Sequence, residues 1–350
     1  MSSRSKGPSA PSAVVLGCGG TALTDAERAF FRDAAPFGLI LFARNVGAPE
    51  TLRRLIADFR ETVGRPEAPV FVDQEGGRVA RLRPPRWPAL PPAGAIGRLY
   101  ARAPERGLEA AALLGAAIAA SVAPVGFDVA CAPVADVRAP GADRTVVGDR
   151  AYSEDPDSVA RLAEATEAAI RAAGIATTPK HAPGHGRAAL DSHHALPTVT
   201  APMADLVRDL APFRAMTAAA FWMTAHIVYP AIDPDRPATC SPRVLDWLRG
   251  ETGYDGVILS DDLAMKALAG DVETRAAAAR DAGCELLLYC PGDLAGGAAA
   301  VAGAGRAPDR LLQRWSEWTS ARAVPPHMDA FQLAADLWAM LEPADMDPGV

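Results

Sequence analysis

The chain has 350 residues, of which 49% are apolar, and its 35 basic and 42 acidic residues give a net charge of −7. This length and apolar fraction allow one large domain or two smaller ones. No block of lysine or arginine occurs, so nucleic acid is not an expected partner. The five cysteines are scattered without CxxC spacing. They therefore predict neither a disulfide framework nor a zinc site, and we expect no cofactor.

The N-terminal segment is polar and rich in serine and proline, and it lacks the apolar core of a signal peptide. We therefore expect residues 1–12 to form a tail and the protein to be cytoplasmic. The stretch 110–127 has few polar residues over a length that could cross a membrane. It is mostly alanine, however, and Gly115, Pro124 and Gly126 interrupt it. A helix packed on a sheet, followed by a strand, is favoured over a membrane span.

Eight short apolar runs rich in valine, isoleucine and leucine recur along the chain. Each is too short for a helix and lacks the alternation of a half-exposed strand, which is typical of buried parallel strands. The runs are 13–16, 38–42, 69–73, 127–133, 177–181, 221–226, 256–261 and 285–290.

Helical patterns lie between these runs. Thr24 and Glu27 predict a capping box at the start of one helix, and Pro49 suits the first turn of another. A third predicted helix follows Pro156 and ends near Gly174. A strand and a helix alternating about eight times predict a closed (β/α)8 barrel of the TIM type. We expect one domain over 13–342, with extra C-terminal helices and a tail over 343–350.

Polar residues end several of the predicted strands, and active sites of such barrels lie at the carboxyl ends of the strands. Asp262 could instead cap a following helix, but convergence of four such ends favours a site. The strand-end residues are Asp73-Gln74-Glu75-Gly76-Gly77-Arg78, Lys180-His181, His226 and Ser260-Asp261-Asp262.

Four of the six histidines lie between His181 and His194. His181 and His185 have the spacing of a helical zinc pair, but the prolines and glycines around them disfavour a helix, so a metal site is the weaker interpretation. Asp191 and His193 could form a dyad in which the carboxylate orients an imidazole that titrates near neutral pH. A simple polar loop remains the alternative.

Asp261 ends the seventh predicted strand, where a carboxylate could attack the anomeric carbon of a sugar. Charged side chains at neighbouring strand ends would then hold sugar hydroxyls through charge-assisted hydrogen bonds. The alternative is a network of buried ion pairs at the barrel mouth. The candidate sugar-binding residues are Asp73, Arg81, Arg150, Lys180 and His181.

Five motifs in this order together resemble the single-domain bacterial β-N-acetylhexosaminidases of glycoside hydrolase family 3, of the peptidoglycan-recycling type. The likeness extends from about Leu39 to Cys290. The motifs are VDQEGGRVARL (72–82), CAPVADV (131–137), GDRAYSEDP (148–156), KHAPGHG with DSH (180–186 and 191–193) and GVILSDDLAM (256–265).

The resemblance implies a retaining exo-hydrolase that removes N-acetylglucosamine from N-acetylglucosaminyl-anhydro-N-acetylmuramyl peptides. It implies that Asp261 is the nucleophile, His193 the general acid/base and Asp191 its partner. His194, the neighbour of His193 in the chain, is the alternative acid/base. It also assigns sugar binding to the five residues named above. The sequence departs from the family pattern at Ala182, at Asp149 and in the segment 187–190.

Other functions stay open on the sequence alone. A phosphorylase of the same family is chemically close, because a histidine acid/base would not repel phosphate as a glutamate would. A β-glucosidase of the same family is another alternative. A metal-dependent barrel hydrolase using His181, His185 and Asp261, or a sugar-binding protein without activity, is less favoured. We expect a monomer that acts on a small saccharide and binds no membrane.

Overall fold

The computed structural model describes residues 10–140, 142, 145–190, 192, 195–324 and 327–346. Parallel strands alternate with helices through most of this range. The strands are β1 (Ser12–Leu16), β2 (Pro36–Leu41), β3 (Val70–Val72), β4 (Gln74–Gly76), β5 (Val79–Ala80), β6 (Val129–Ala130), β7 (Ala176–Thr177), β8 (Lys180–Ala182), β9 (Phe221–Thr224), β10 (Val228–Tyr229), β11 (Asp233–Pro237), β12 (Val257–Asp262) and β13 (Leu286–Tyr289). The helices are α1 (Asp25–Ala34), α2 (Pro49–Val63), α3 (Ala93–Arg102), α4 (Pro104–Val122), α5 (Pro156–Ala172), α6 (Met203–Asp209), α7 (Ala211–Ala215), α8 (Pro242–Thr252), α9 (Val272–Ala282), α10 (Leu294–Ala304), α11 (Asp309–Ala321) and α12 (Ala330–Met340).

The main sheet has the strand order β7-β6-β3-β2-β1-β13-β12-β9-β8, and its pairs are parallel. Its two edge strands, β7 and β8, are consecutive in the chain and are separated only by Thr178 and Pro179. The segment 176–182 therefore serves as one strand that pairs on both sides and closes the sheet. The predicted (β/α)8 barrel is confirmed, and all eight predicted apolar runs supply its strands.

The fifth barrel strand differs from the prediction, because the run 177–181 is split into β7 and β8. Pro179 lies at the break and has no backbone N–H to donate to a neighbouring strand. The strand order is nevertheless maintained there, since Thr178 N donates to Ala130 O and Met223 N donates to Pro179 O.

Local sequence signals explain the helix ends. Thr24 and Glu27 form the predicted capping box of α1, and Pro49 begins α2. The apolar positions of α2 are buried against the sheet, as the period of 3.6 residues predicts. Helix α5 begins at Pro156, and Gly174 adopts a φ of 78° just beyond its end.

Helix α4 and the 3-10 turn after it form the one helical segment of the described residues, Pro104–Val125, that is long and apolar enough to cross a membrane. The helix packs against α3, α5 and α12 in the outer layer of the barrel. Of its most apolar window, 61% is buried inside the protein. The interpretation as a packed helix followed by strand β6 agrees with this arrangement.

Helices α11 and α12 are the predicted extra C-terminal helices. Beyond them, Pro343–Met346 forms a 3-10 turn in which buried Asp345 pairs with Arg102 at 2.6 Å. The described part of the predicted tail therefore packs on the barrel. Two short antiparallel hairpins, β4–β5 and β10–β11, interrupt the alternation of strands and helices, and the sequence pattern did not predict them.

Candidate active site

A cavity of about 290 Å³ opens at the carboxyl ends of the barrel strands. Side chains from β8 and β12, from the β4–β5 hairpin and from the loops that follow several strands converge there. The charged and polar residues that line it are Asp73, Glu75, Arg78, Arg81, Arg150, Lys180, His181, His185, Ser192, Asp261 and Asp262. The six predicted site residues that the structure describes, together with five others, thus share one cavity.

Asp73 lies directly after β3 and receives two cationic partners. Arg81 Nη2 lies 2.7 Å from Asp73 Oδ2, and Lys180 Nζ lies 2.8 Å from Asp73 Oδ1. The Lys180 side chain is 3% exposed, so this pair is shielded from water. Arg81 reaches it because the β4–β5 hairpin turns the chain back, and Gln74 Oε1 accepts hydrogen bonds from the backbone N–H groups of Arg81 and Leu82.

Glu75 is a second buried carboxylate of the same cluster. It accepts two hydrogen bonds from Arg150, from Nε and Nη2, each 2.8 Å long. Lys180 Nζ also lies 2.6 Å from Glu75 Oε1. Lys180 therefore bridges two carboxylates. Glu75 belongs to the strand-end motif, but the sequence analysis did not assign it to the site. Its negative charge, close to residues predicted to be cationic parts of the site, was the signal that could have identified it.

Charge pairing outweighs burial in this cluster. Burial alone would raise the pKa of Asp73, but Lys180 and Arg81 lower that pKa below its ordinary value. Burial acts against Glu75 in the same way, yet Arg150 and Lys180 lower its pKa to about 2. Burial would lower the pKa of Lys180, whereas Asp73 and Glu75 raise it above the usual range. All three groups are charged at neutral pH.

Arg78 of the hairpin was quoted in the motif but received no role in the site. Its Nη2 donates to the backbone carbonyls of Val146 and Val147, at 2.7 and 3.3 Å, and its Nε lies 3.4 Å from Asp149 Oδ1. These contacts hold the segment that presents Arg150. Asp149, one of the positions where the sequence analysis found a departure from the family pattern, thus makes a structural ion pair with Arg78.

Asp136 holds the two histidines in β8 and in the turn after it. Its Oδ1 accepts from the backbone N–H groups of His181 and His185, at 3.0 and 2.7 Å, and its Oδ2 lies 2.8 Å from His181 Nδ1. Burial would raise the pKa of Asp136, but His181 and these hydrogen bonds lower it. The sequence reasoning missed Asp136, although it lies in the CAPVADV motif after the fourth strand.

Glycines allow this segment to turn tightly beside the barrel. Gly184 has a φ of 142°, which disfavours any side chain. At Gly186, an added Cβ would lie 1.8 Å from Val137 O. His181 lies in β8 and His185 in the turn after it, so the two histidines do not have the helical arrangement that the sequence analysis disfavoured.

The two histidines instead have separate partners. His181 bonds to Asp136, and His185 Nε2 lies 3.1 Å from Ser192 Oγ. Among the described residues, no group of three or more histidine, cysteine or acidic side chains is placed to hold a metal ion. The proposed dyad residues Asp191 and His193, and the alternative His194, lie outside the described residues. Ser192, between the first two in the chain, is described and lines the cavity.

Asp261 lies near the end of β12, half-buried at the cavity wall. Its Oδ1 accepts a hydrogen bond of 2.7 Å from the backbone N–H of Asp262. Asp262 does not cap a helix, because its Oδ1 accepts from Ala264 N and Cys290 N and the next helix begins only at Val272. It ties β12 to β13 and so fixes the backbone that carries Asp261.

His226, which follows β9, contacts the backbone at the same end of β12. Its Nδ1 lies 2.8 Å from Thr239 Oγ1, and its Nε2 lies 3.0 Å from the backbone oxygen of Asp262. Burial lowers the pKa of His226. A neutral imidazole that donates to the Asp262 carbonyl fits these contacts.

Comparison with known proteins agrees with this geometry. Residues 16–314 match the N-terminal domain of glycosyl hydrolase family 3. The chain belongs to that family. A β-hexosaminidase of Stenotrophomonas maltophilia strain R551-3 is 41% identical over 289 residues, which cover 80% of this chain and 84% of that protein.

Two solved structures also resemble the chain. NagZ of Neisseria gonorrhoeae, in complex with N-trifluoroacetyl-D-glucosamine, superposes with a TM-score of 0.84 at 30% identity, covering 96% of this chain and 99% of the other. A family 3 β-N-acetylglucosaminidase from Paenibacillus superposes with a TM-score of 0.83 at 30% identity, covering 94% and 67%. The family and the assignment as a glycoside hydrolase, predicted from the motifs, and the barrel, predicted from the alternation of strands and helices, are confirmed.

Proposed function

We propose that the protein is a retaining exo-β-N-acetylglucosaminidase that forms a covalent glycosyl-enzyme on Asp261. The observation that carries the proposal is the shared cavity, which Asp261 lines together with Asp73 after β3 and with the charged residues of β8 and the β4–β5 hairpin. A cavity of about 290 Å³ is at the small end of ligand pockets and suits one terminal sugar. The class of enzyme matches the names of the relatives described above.

The residues have distinct tasks in this reaction. The paired charges of Asp73, Arg81, Lys180 and Glu75 hold their geometry without substrate, so they can receive sugar hydroxyls with little reorganisation. Asp261 attacks the anomeric carbon while an acid protonates the leaving oxygen. Water then attacks the glycosyl-enzyme as the same group, now a base, removes its proton.

His193 is proposed as this acid/base, with Asp191 as its partner. An imidazole titrates near neutral pH and can give and recover a proton there. The assignment is supported by the DSH motif and by the position of Ser192 at the cavity. We further propose that the substrate is N-acetylglucosaminyl-anhydro-N-acetylmuramic acid, with or without its peptide, and that the enzyme works in the cytoplasm as a monomer.

Product analysis tests the proposal. The disaccharide is digested with and without inorganic phosphate, and the first product is identified by proton NMR before its anomers equilibrate. We expect free N-acetylglucosamine in the β configuration under both conditions. A sugar 1-phosphate would instead identify a phosphorylase, an α-anomer would contradict retention, and no product would favour a binding protein.

A further inference from the structure

Ser192 is almost completely buried, at 2% exposure, only two residues from Leu190, which is 53% exposed. Two different parts of the barrel hold it. Its Oγ contacts His185 Nε2 from the segment after β8, and its backbone oxygen accepts a 3.2 Å hydrogen bond from Ala267 N. Ala267 belongs to the loop that follows β12, the strand of Asp261. Ser192 therefore lies between the segment that follows β8 and the loop that follows β12.

The position of His185, the partner of Ser192, is also fixed by contacts. Its backbone N–H donates to buried Asp136, and its ring packs edge-on to His181 with centroids 5.5 Å apart. Its Nδ1 is buried and has no hydrogen-bond partner among the described residues. An unpaired buried N–H is more costly than an unpaired lone pair. The proton therefore belongs on Nε2, which donates to Ser192 Oγ.

The charge state of His185 agrees with that tautomer. Burial and the neighbouring His181 lower the pKa of His185 to about 4. The imidazole is then neutral at pH 7, and it acts as a single hydrogen-bond donor to Ser192 rather than as a cation or an acid.

We propose that His185 and Ser192 form a latch that docks the loop bearing Asp191 and His193 against the active-site cavity. The inference rests on the proposed function. Ser192 is the covalent neighbour of both dyad residues. Contacts that fix the position of Ser192 therefore restrict the backbone to which both dyad side chains are attached. Ser192 is a positioning residue, and the proton transfer is done by His193.

The latch should matter most where proton transfer limits the rate. An alkyl or sugar leaving group needs protonation, whereas a nitrophenolate leaves without it. For Ser192→Ala we expect kcat/KM to fall about 10- to 100-fold with the disaccharide but less than about threefold with 4-nitrophenyl β-N-acetylglucosaminide, because a correctly placed general acid contributes about 10²- to 10⁴-fold. With the nitrophenyl substrate the misplaced base should slow hydrolysis of the glycosyl-enzyme and so lower kcat, and azide, which attacks a glycosyl-enzyme without a base, should restore that kcat.

A second variant distinguishes loss of the His185–Ser192 hydrogen bond from misfolding. His185→Gln places an amide nitrogen near the position of Nε2 and should retain most of the activity that His185→Ala loses. The double variant His185→Ala/Ser192→Ala should lose little more than either single variant, because both remove the same contact. Ser121→Ala, a buried serine on α4 that donates to Ala117 O, is the matched control and should leave both rates unchanged.

Equal losses on both substrates, or no loss on the disaccharide, would overturn the latch. His193→Ala is measured in parallel. If His193→Ala shows the leaving-group dependence and Ser192→Ala does not, the latch is wrong while the proposed mechanism stands. If His193→Ala does not show it, the assignment of the acid/base is wrong as well.

Discussion

Two regions of the active site are held in different ways. Lys180 at the start of β8 is joined to Asp73 and Glu75 by buried ion pairs of 2.8 and 2.6 Å. The loop that carries Ser192 is held by neutral hydrogen bonds of 3.1 and 3.2 Å. We call the first region, with Asp261, the fixed side, and the segment around Ser192 the loop side. In the mechanism proposed above, sugar binding and nucleophilic attack belong to the fixed side and proton transfer to the loop side.

The largest expected effect is on the fixed side. Asp261→Ala should reduce kcat for an aryl β-N-acetylglucosaminide by at least about 10⁴-fold, because no other group is assigned to form the covalent bond. Steady-state kinetics measure the loss, and the thermal midpoint should stay close to that of the parent protein. Asp157→Ala, an exposed carboxylate on α5, is the control. Near-normal turnover by Asp261→Ala would show that Asp261 is not the nucleophile.

The loop side should lose activity in a different way. His193→Ala should lower kcat by about 10²- to 10⁴-fold, while an activated leaving group still allows glycosylation. A glycosyl-enzyme should then accumulate and be visible by intact-protein mass spectrometry. His194→Ala is the matched variant, and accumulation there instead would transfer the acid/base role to His194.

The fixed side should also carry a pH signature in stability. The carboxylate of Glu75 has its pKa lowered from 4.5 to about 2 in the fold. Its stabilisation is therefore complete above pH 4.5 and is lost as the pH falls through about 2. Glu75→Gln should lower the free energy of unfolding by about 2–3 kcal/mol at pH 7, and this difference should shrink below pH 4.5.

Urea unfolding between pH 7 and pH 3 measures this difference. Glu61→Gln, which changes an exposed carboxylate on α2, is the control and should have little effect at any of these pH values. A loss for Glu75→Gln that does not vary with pH would show that packing, rather than the ion pairs, fixes this side of the site.

The smallest expected effect concerns the start of the loop. Arg187 makes a bidentate contact with Asp209 on α6, at 2.6 and 3.1 Å, and Asp209 is buried. Arg187→Ala should lower the free energy of unfolding by about 1–2 kcal/mol, because it leaves a buried carboxylate unpaired. The exposed pair of Arg53 and Glu50 provides the comparison, and Arg53→Ala should cost less than about 0.5 kcal/mol in urea unfolding.

Sequence patterns predicted the barrel and the fixed side of the site well, for a physical reason. Buried parallel strands need continuous apolar runs, and polar residues that end such runs meet at one face of a barrel. Asp73, Lys180 and Asp261 could therefore be placed together. Which charges pair could not be predicted, since the contact of Glu75 with Lys180 depends on the β4–β5 hairpin.

The loop side was less predictable from the sequence. Its contacts are between neutral groups far apart in the chain, such as Ser192 with Ala267, and no periodicity encodes them. The role of Asp136 was not predicted, because a single aspartate after an apolar run is common where a strand ends. Its three hydrogen bonds to His181 and His185 are visible only once the strands are assembled.

Trapping the covalent intermediate tests the central claim most directly. The His193→Ala variant is mixed with an activated aryl β-N-acetylglucosaminide, quenched in acid, digested and mapped by tandem mass spectrometry. The account predicts one N-acetylglucosaminyl adduct, located on the carboxylate of Asp261, and no adduct in the double variant His193→Ala/Asp261→Ala. An adduct on another residue, or turnover of the substrate without any adduct, would contradict it.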